Sequence, residues 1–425
     1  MSRGLVLGVI ADDFTGATDV ASMLVREGMR TVQLIGVPAA DAAMPPEADA
    51  IVIALKTRTV PAAEAVAESL AALRWLRAAG ARQFFFKYCS TFDSTSAGNI
   101  GPVAEALMAA LATDFTIACP AFPENGRTVY RGHLFVGDQL LSESGMREHP
   151  LTPMTDANLV RVLQAQSRAR VGLLRHDSVA AGAAALRARI DALRAEGVRL
   201  AVADAIANAD LRVLAEACAE LPLLTGGSGL ALGLPALYAA RGWLRLDAAG
   251  AAALPAVGGQ AAVIAGSCST ATQGQVAHWL GEGRPAFQID VMALAAGDDQ
   301  AARALAWSAQ QPDPVLIYAT AAAPELRAAQ AALGAAHAGQ LVEQCLATVA
   351  AGLVGAGGVR RLVVAGGETS GAVVQALHVQ ALRIGAPIDP GVPWTQAQGR
   401  ALLLALKSGN FGGVDFFARA LAQVA

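Results

Sequence analysis

The chain has little that would tie it to metals, membranes or nucleic acid. Its five cysteines (Cys89, Cys119, Cys218, Cys268 and Cys345) are an odd, widely spaced set with no CxxC, and its six histidines show no HxxxH or HExxH spacing. A disulfide framework and a dedicated zinc site are therefore not expected, and no residue is read as a metal ligand. Charged residues make up only 16% of the chain, and 32 Lys+Arg against 35 Asp+Glu leave a net charge of −3 with no basic stripe, which argues against nucleic acid as a partner. No window approaches the ~20 consecutive apolar residues of a membrane span, so no membrane partner is expected. The opening apolar stretch reaches Asp12 and Asp13 before any small-residue cleavage site, which reads as a first strand rather than a signal peptide and predicts a cytoplasmic protein. A Walker A sequence is missing, as is a GxGxxG after the first strand, so neither a P-loop enzyme nor a standard dinucleotide binder has motif support.

What is present is apolar: 54% of 425 residues, too many for one ordinary core and enough for two domains. Short apolar runs, each followed by a polar turn and an amphipathic Ala/Leu/Arg stretch, recur in both halves, the pattern of βα units feeding a parallel sheet. Strands are predicted over residues 5–10, 31–35, 51–55, 84–87, 115–118, 171–174, 200–203 and 221–224, then 261–265, 315–318, 362–365 and 401–406. Helices are predicted over residues 62–79 and 180–196. Continuous apolarity implies strands covered on both faces. Residues 129–136 alternate differently and read as a hairpin outside the main sheet. Residues 243–260 read as a linker between domains 1–242 and 261–425. The expected class is α/β: two α/β domains with mainly parallel sheets and an active-site cleft between them.

Strand ends carry the candidate chemistry. Asp12, Asp13 and Thr15 leave the first strand, where open α/β sheets collect ligands; a helix cap is the structural alternative, but capping needs only one such residue. Arg58 leaves the third strand; Lys87, Ser90, Thr91 and Asp93 leave the fourth; Arg127 follows the fifth. Arg58, Lys87 and Arg127 at equivalent ends would form an anion pocket facing Asp12 and Asp13, suited to a small hydroxylated acid, although lone basic residues are more often solvated. In the second half three turns follow strands: Gly266-Ser267-Cys268-Ser269, Gly366-Gly367-Glu368-Thr369, and Lys407-Ser408-Gly409. Glycine there admits phosphate to backbone N–H groups, while a tight connection with no ligand is the alternative for each turn singly. A fourth turn, Gly226-Gly227-Ser228-Gly229, reads equally as packing.

Taken together, ADDFTGATD, FKYCSTFDST with GNIG, CPAFPENGRTVY, GSCSTATQGQ, AGGETSGAV and LKSGNFGG resemble the four-carbon acid sugar kinase family across essentially the whole chain. The KYCSTFDS segment, with Ser94-Thr95-Ser96-Ala97-Gly98-Asn99 lacking the arginine common in threonate and erythronate relatives, resembles the branch acting on 3-oxo-tetronate. The resemblance implies an N-terminal acid-sugar domain, a C-terminal ATP domain and transfer of the γ-phosphate to the O4 hydroxyl, with Mg²⁺ neutralising charge. It carries nucleotide contacts onto Ser267, Gly366, Gly367, Glu368, Thr369 and Gly409, and it makes the acid sugar and ATP the partners, with a homo-oligomer left open. Asp12 or Asp13 would be the base. The competing readings are a threonate or erythronate 4-kinase, a nucleotide-dependent oxidoreductase and a non-catalytic acid sensor.

Overall fold

A computed structural model describes residues 4–39, 45, 48–149 and 151–424. The chain divides into two compact units, residues 1–252 and 253–425. The stretch expected to be a linker contains the short helix Ala248–Ala252, and this helix packs on the helix Phe14–Arg26 of the first unit.

In the first unit the strands are β1 (Leu7–Ala11), β2 (Thr31–Ile35), β3 (Ala50–Ala54), β4 (Gln83–Lys87), β5 (Thr116–Cys119), β6 (Arg127–Tyr130), β7 (His133–Val136), β8 (Gln139–Leu140), β9 (Arg170–Leu174), β10 (Val198–Ala203) and β11 (Leu223–Gly226). Eight of them form one sheet in the order β2-β3-β1-β4-β11-β5-β10-β9, every pairing parallel. The α/β expectation holds, and its cause is visible in β1 and β3, whose residues are all buried because helices cover both faces. β6, β7 and β8 make a separate antiparallel sheet, as the alternation at 129–136 predicted.

The second unit adds β12 (Gln260–Ala265), β13 (Ala286–Gln288), β14 (Val315–Tyr318), β15 (Val359–Ala365), β16 (Ala381–Asp389), β17 (Val392–Ala397) and β18 (Leu403–Lys407). Their order is β13-β14-β12-β15-β18-β17-β16, parallel through β18 and antiparallel beyond it. Val263, Leu316, Val363, Trp394 and Phe416 are among the residues of its core. No helix among the described residues is long and apolar enough to cross a membrane.

Candidate functional site

In the first unit, Asp13 ends the turn after β1 in extended geometry and caps the helix Phe14–Arg26, its Oδ1 accepting from the Gly16 N–H at 3.1 Å. The cap alternative is therefore correct for Asp13. It does not exhaust its contacts, because the same Oδ1 accepts from Arg58 Nη2 at 2.6 Å. Asp12 is buried and takes a two-pronged bond from Arg58, Nε to Oδ2 at 3.0 Å and Nη2 to Oδ1 at 2.8 Å. Arg58 also stands 3.6 Å from Asp93 Oδ2. The Arg58 fork thus serves Asp12 and Asp13 through Nε and Nη2, while Nη1, near Asp93, makes no hydrogen bond with a described residue. The hollow beside it, lined by Asp12, Thr57, Arg58, Asp93 and Asn99, encloses about 10 Å³. That is room for one water, not for a four-carbon acid.

The two acids differ electrostatically. Burial raises the Asp12 carboxyl above its ordinary range despite Arg58. Burial pushes Asp13 the same way, but the Arg58 and Lys87 charges outweigh it and hold this carboxyl below its ordinary range. A hydrogen bond with the neighbouring Asp12 carboxyl adds to this lowering, and the Asp13 side chain retains 28% exposure.

Lys87 ends β4 with 3% exposure and makes neither a hydrogen bond nor a close ion pair with a described residue. Its Nζ lies over Gly16, where a Cβ would come within 2.3 Å of it and 2.2 Å of Asp13 Oδ1. Glycine at 16 is what admits both groups to the start of the helix. Arg127 Nη1 donates to the Asn125 carbonyl, its buried Nε is unpartnered among the described residues, and its charge, like that of Lys87, acts on Asp19. Thr91 Oγ1 donates to Asp93 Oδ1 at 2.7 Å, in a loop where Phe92 and Asp93 both take left-handed φ (65° and 45°). Such strain costs about 1–3 kcal/mol per residue. Here it is held by the edge-on packing of Phe92 against Tyr88, ring centroids 5.6 Å apart. The side chains of Thr15 and Ser90 are half-buried and make no hydrogen bond with a described residue.

Two residues escaped the sequence reading. Asn99 donates through Nδ2 to the carbonyls of Thr57 (2.7 Å), Arg58 (3.3 Å) and Val60 (2.9 Å), holding the loop that presents Arg58. The GNIG tetrad was its signal. Asp19 is buried with Oδ1 unpartnered, and burial raises its carboxyl against the pull of Lys87. It stands in ADDFTGATD, one turn past Gly16. The turn at Gly226–Gly229 is packing: added Cβ atoms at Gly226, Gly227 and Gly229 would strike the carbonyl oxygens of Cys119, Pro120 and Ala121 within 2.6 Å.

In the second unit the three turns converge because β12, β15 and β18 are neighbours. They lie at the carboxyl ends of those strands, and two of them, with residues from β13 to the helix Ala335–Gly355, line a cavity of about 610 Å³. The β12 and β15 turns give it Gly266, Ser267, Gly366, Gly367, Glu368 and Thr369; the other elements add the apolar Ile289, Val291, Leu326 and Val342 together with Gln288, Asp290, Glu325 and Glu343. Gly366 takes φ 133° and caps the helix Gly367–Ala376; a Cβ there would meet Thr369 Oγ1 at 2.7 Å. A Cβ on Gly409 would lie 2.2 Å from Ser267 Oγ, so the third turn abuts the first. Thr320 Oγ1 donates to the Ser267 carbonyl at 2.9 Å and braces it, with no sequence signal to reveal it. The helix N-terminus and free N–H groups of the turns suit phosphates, and the apolar side chains suit a base.

A sugar-binding N-terminal domain family matches residues 7–234, and a nucleotide-binding C-terminal domain family matches residues 262–417. A 3-oxo-tetronate kinase of Cupriavidus necator is 67% identical over 421 residues, covering 99% of this chain and 97% of its own. One of Methylobacterium radiotolerans is 55% identical, covering 99% of this chain and 100% of its own. A solved Salmonella typhimurium structure, provisionally described as a tRNA synthase, superposes with a TM-score of 0.89 at 47% identity, covering 98% of this chain and 99% of its own.

Proposed function

The chain belongs to the family of the 3-oxo-tetronate kinases, and from that membership we propose that it transfers the γ-phosphoryl group of ATP to O4 of 3-oxo-tetronate, giving ADP and 3-oxo-tetronate 4-phosphate. The observation that carries the reading is 67% identity over nearly the whole length of a relative so named. Nucleotide use follows from the family. The second-unit cavity supports it, with the turns at Ser267, Gly366, Gly367, Glu368, Thr369 and Gly409 for the phosphates and apolar side chains for the base.

The first unit supplies the acceptor chemistry. Asp13, partly exposed and with its carboxyl held ionised, accepts the O4 proton as that oxygen forms its bond to the γ-phosphorus and the bond to the bridging oxygen of ADP breaks. Asp12, Asp93 and Arg58 hold Asp13 in place. Lys87, without a hydrogen bond or close ion pair to a described residue, is the cation offered to the acid's carboxylate, with Thr15, Ser90, Thr91 and Arg127 as further contacts. Among the described residues no cluster of three His, Cys, Asp or Glu could hold an ion. Mg²⁺ is therefore assigned to the nucleotide's own phosphates and to water, entering as Mg–ATP. ADP release measured across a panel of four-carbon acids and oxo-acids tests the reading. Turnover should be fastest with 3-oxo-tetronate; a preference for threonate or erythronate would move the chain to the sister activity, and no turnover with any would end the proposal.

A further inference from the structure

We infer that the Lys407 ammonium is the standing counter-charge of the nucleotide's phosphates, and that it acts as a positioning residue through two peptide planes it holds in place. The inference rests on the nucleotide reading of the cavity. Lys407 ends β18 with no exposed surface. Its Nζ donates to Thr272 Oγ1 at 3.1 Å, to the Ser408 carbonyl at 3.0 Å and to the Gly409 carbonyl at 3.1 Å. Ser269 and Thr272 hydroxyls donate to the same Gly409 carbonyl at 2.6 and 2.8 Å. All three ammonium protons are thus spent on neutral oxygens. Among the described residues no carboxylate hydrogen-bonds or pairs with this ammonium, and burial is what lowers its basicity. A buried cation without a partner is costly.

The peptide geometry says where the missing anion belongs. In a trans peptide the C=O and the following N–H point in opposite directions. With the Ser408 and Gly409 carbonyls turned onto the ammonium, the N–H groups of Gly409 and Asn410 are turned away from it. Neither donates to any described residue. Gly409 abuts Ser267, which lines the cavity, so these two N–H groups, backed by a fixed charge, belong to the turn packed behind the cavity's Ser267 wall. Successive free N–H groups of this kind make an anion-binding concavity.

Burial holds the Lys407 amine down at about 8. A bound polyphosphate favours the charged form and raises it, so above that pH the empty protein must take up a proton to bind, and affinity falls as pH rises. The test is calorimetry of ADP and adenosine binding to the full chain and to Lys407→Met. Buffers of different protonation enthalpy are used, from about pH 7.5, above the terminal phosphate's own titration, to about 9.5. In the unaltered protein ADP affinity should fall toward tenfold per pH unit above about 8, with uptake of up to one proton. Lys407→Met should bind ADP about 10- to 100-fold more weakly with a flat profile, and adenosine unchanged. The Cys268 thiol lines the same cavity, so Cys268→Ser should keep the pH slope. If Lys407→Met fails to fold, proton uptake by the unaltered protein decides. ADP binding with no proton uptake and a flat profile, or a slope lost in Cys268→Ser, overturns the inference while leaving the nucleotide site intact. Failure of the unaltered protein to bind ADP overturns the nucleotide reading and this inference with it.

Discussion

Asp12 and Asp13 are neighbours in sequence, yet one is enclosed with both oxygens on Arg58 while the other keeps 28% of its side chain exposed. Their substitutions should therefore fail differently. Asp13→Asn keeps the shape and removes proton acceptance, so kcat should fall about 10²–10⁴-fold with KM for ATP little changed. Asp12→Asn removes one of the three carboxylates around Arg58 and leaves the other two, so its main loss should be stability, about 1–3 kcal/mol. Steady-state kinetics beside thermal midpoints separate the two. Equal kinetic losses with unchanged midpoints would show that the acids share one role. The sequence could pair these acids with cations at strand ends, but it could not reveal that Arg58 serves the protein's own carboxylates. That depends on Asn99 pinning the loop and on the strained turn at Phe92-Asp93, both set by tertiary packing.

At the scale of the element, glycine turns of like composition do unlike work. Gly226 abuts the Cys119 carbonyl, a backbone atom that cannot swing aside, and Gly366 abuts the Thr369 hydroxyl at the mouth of a helix. Gly226→Ala should lower the thermal midpoint and leave ADP affinity intact, whereas Gly366→Ala, also strained at φ 133°, should weaken ADP at least tenfold. Binding and melting curves on both variants check this; equal ADP losses would give the two turns the same job. The parallel strands were legible because their apolar runs are continuous, and β2 (Thr31–Ile35) and β14 (Val315–Tyr318) lie where expected. β13, β16 and β17 were not. β13 is three residues long, and β16 carries Gly385 and Pro387 in a pairing with β17 whose register shifts, so no run of one period marks them.

For the whole molecule, the two units should report their ligands separately. ADP should slow amide exchange at residues 266–269, 366–369 and 407–410, and the acid should slow it around 12–16 and 87–93. Protection by ADP confined to the first unit would exchange the assignments. The placement of β18 has a further consequence, for biogenesis. Synthesis runs from the N-terminus, yet β18 inserts between β15 and β17, strands made before it. Until residues 403–407 have left the ribosome, β15 and β17 each present an unpaired edge, the arrangement most prone to pairing with another chain. Nucleotide cannot rescue that half-made unit, because the turn at 407–410 arrives with the missing strand. A chain cut after residue 397 therefore keeps both edges open, and it should aggregate on release under conditions in which the full chain stays in solution.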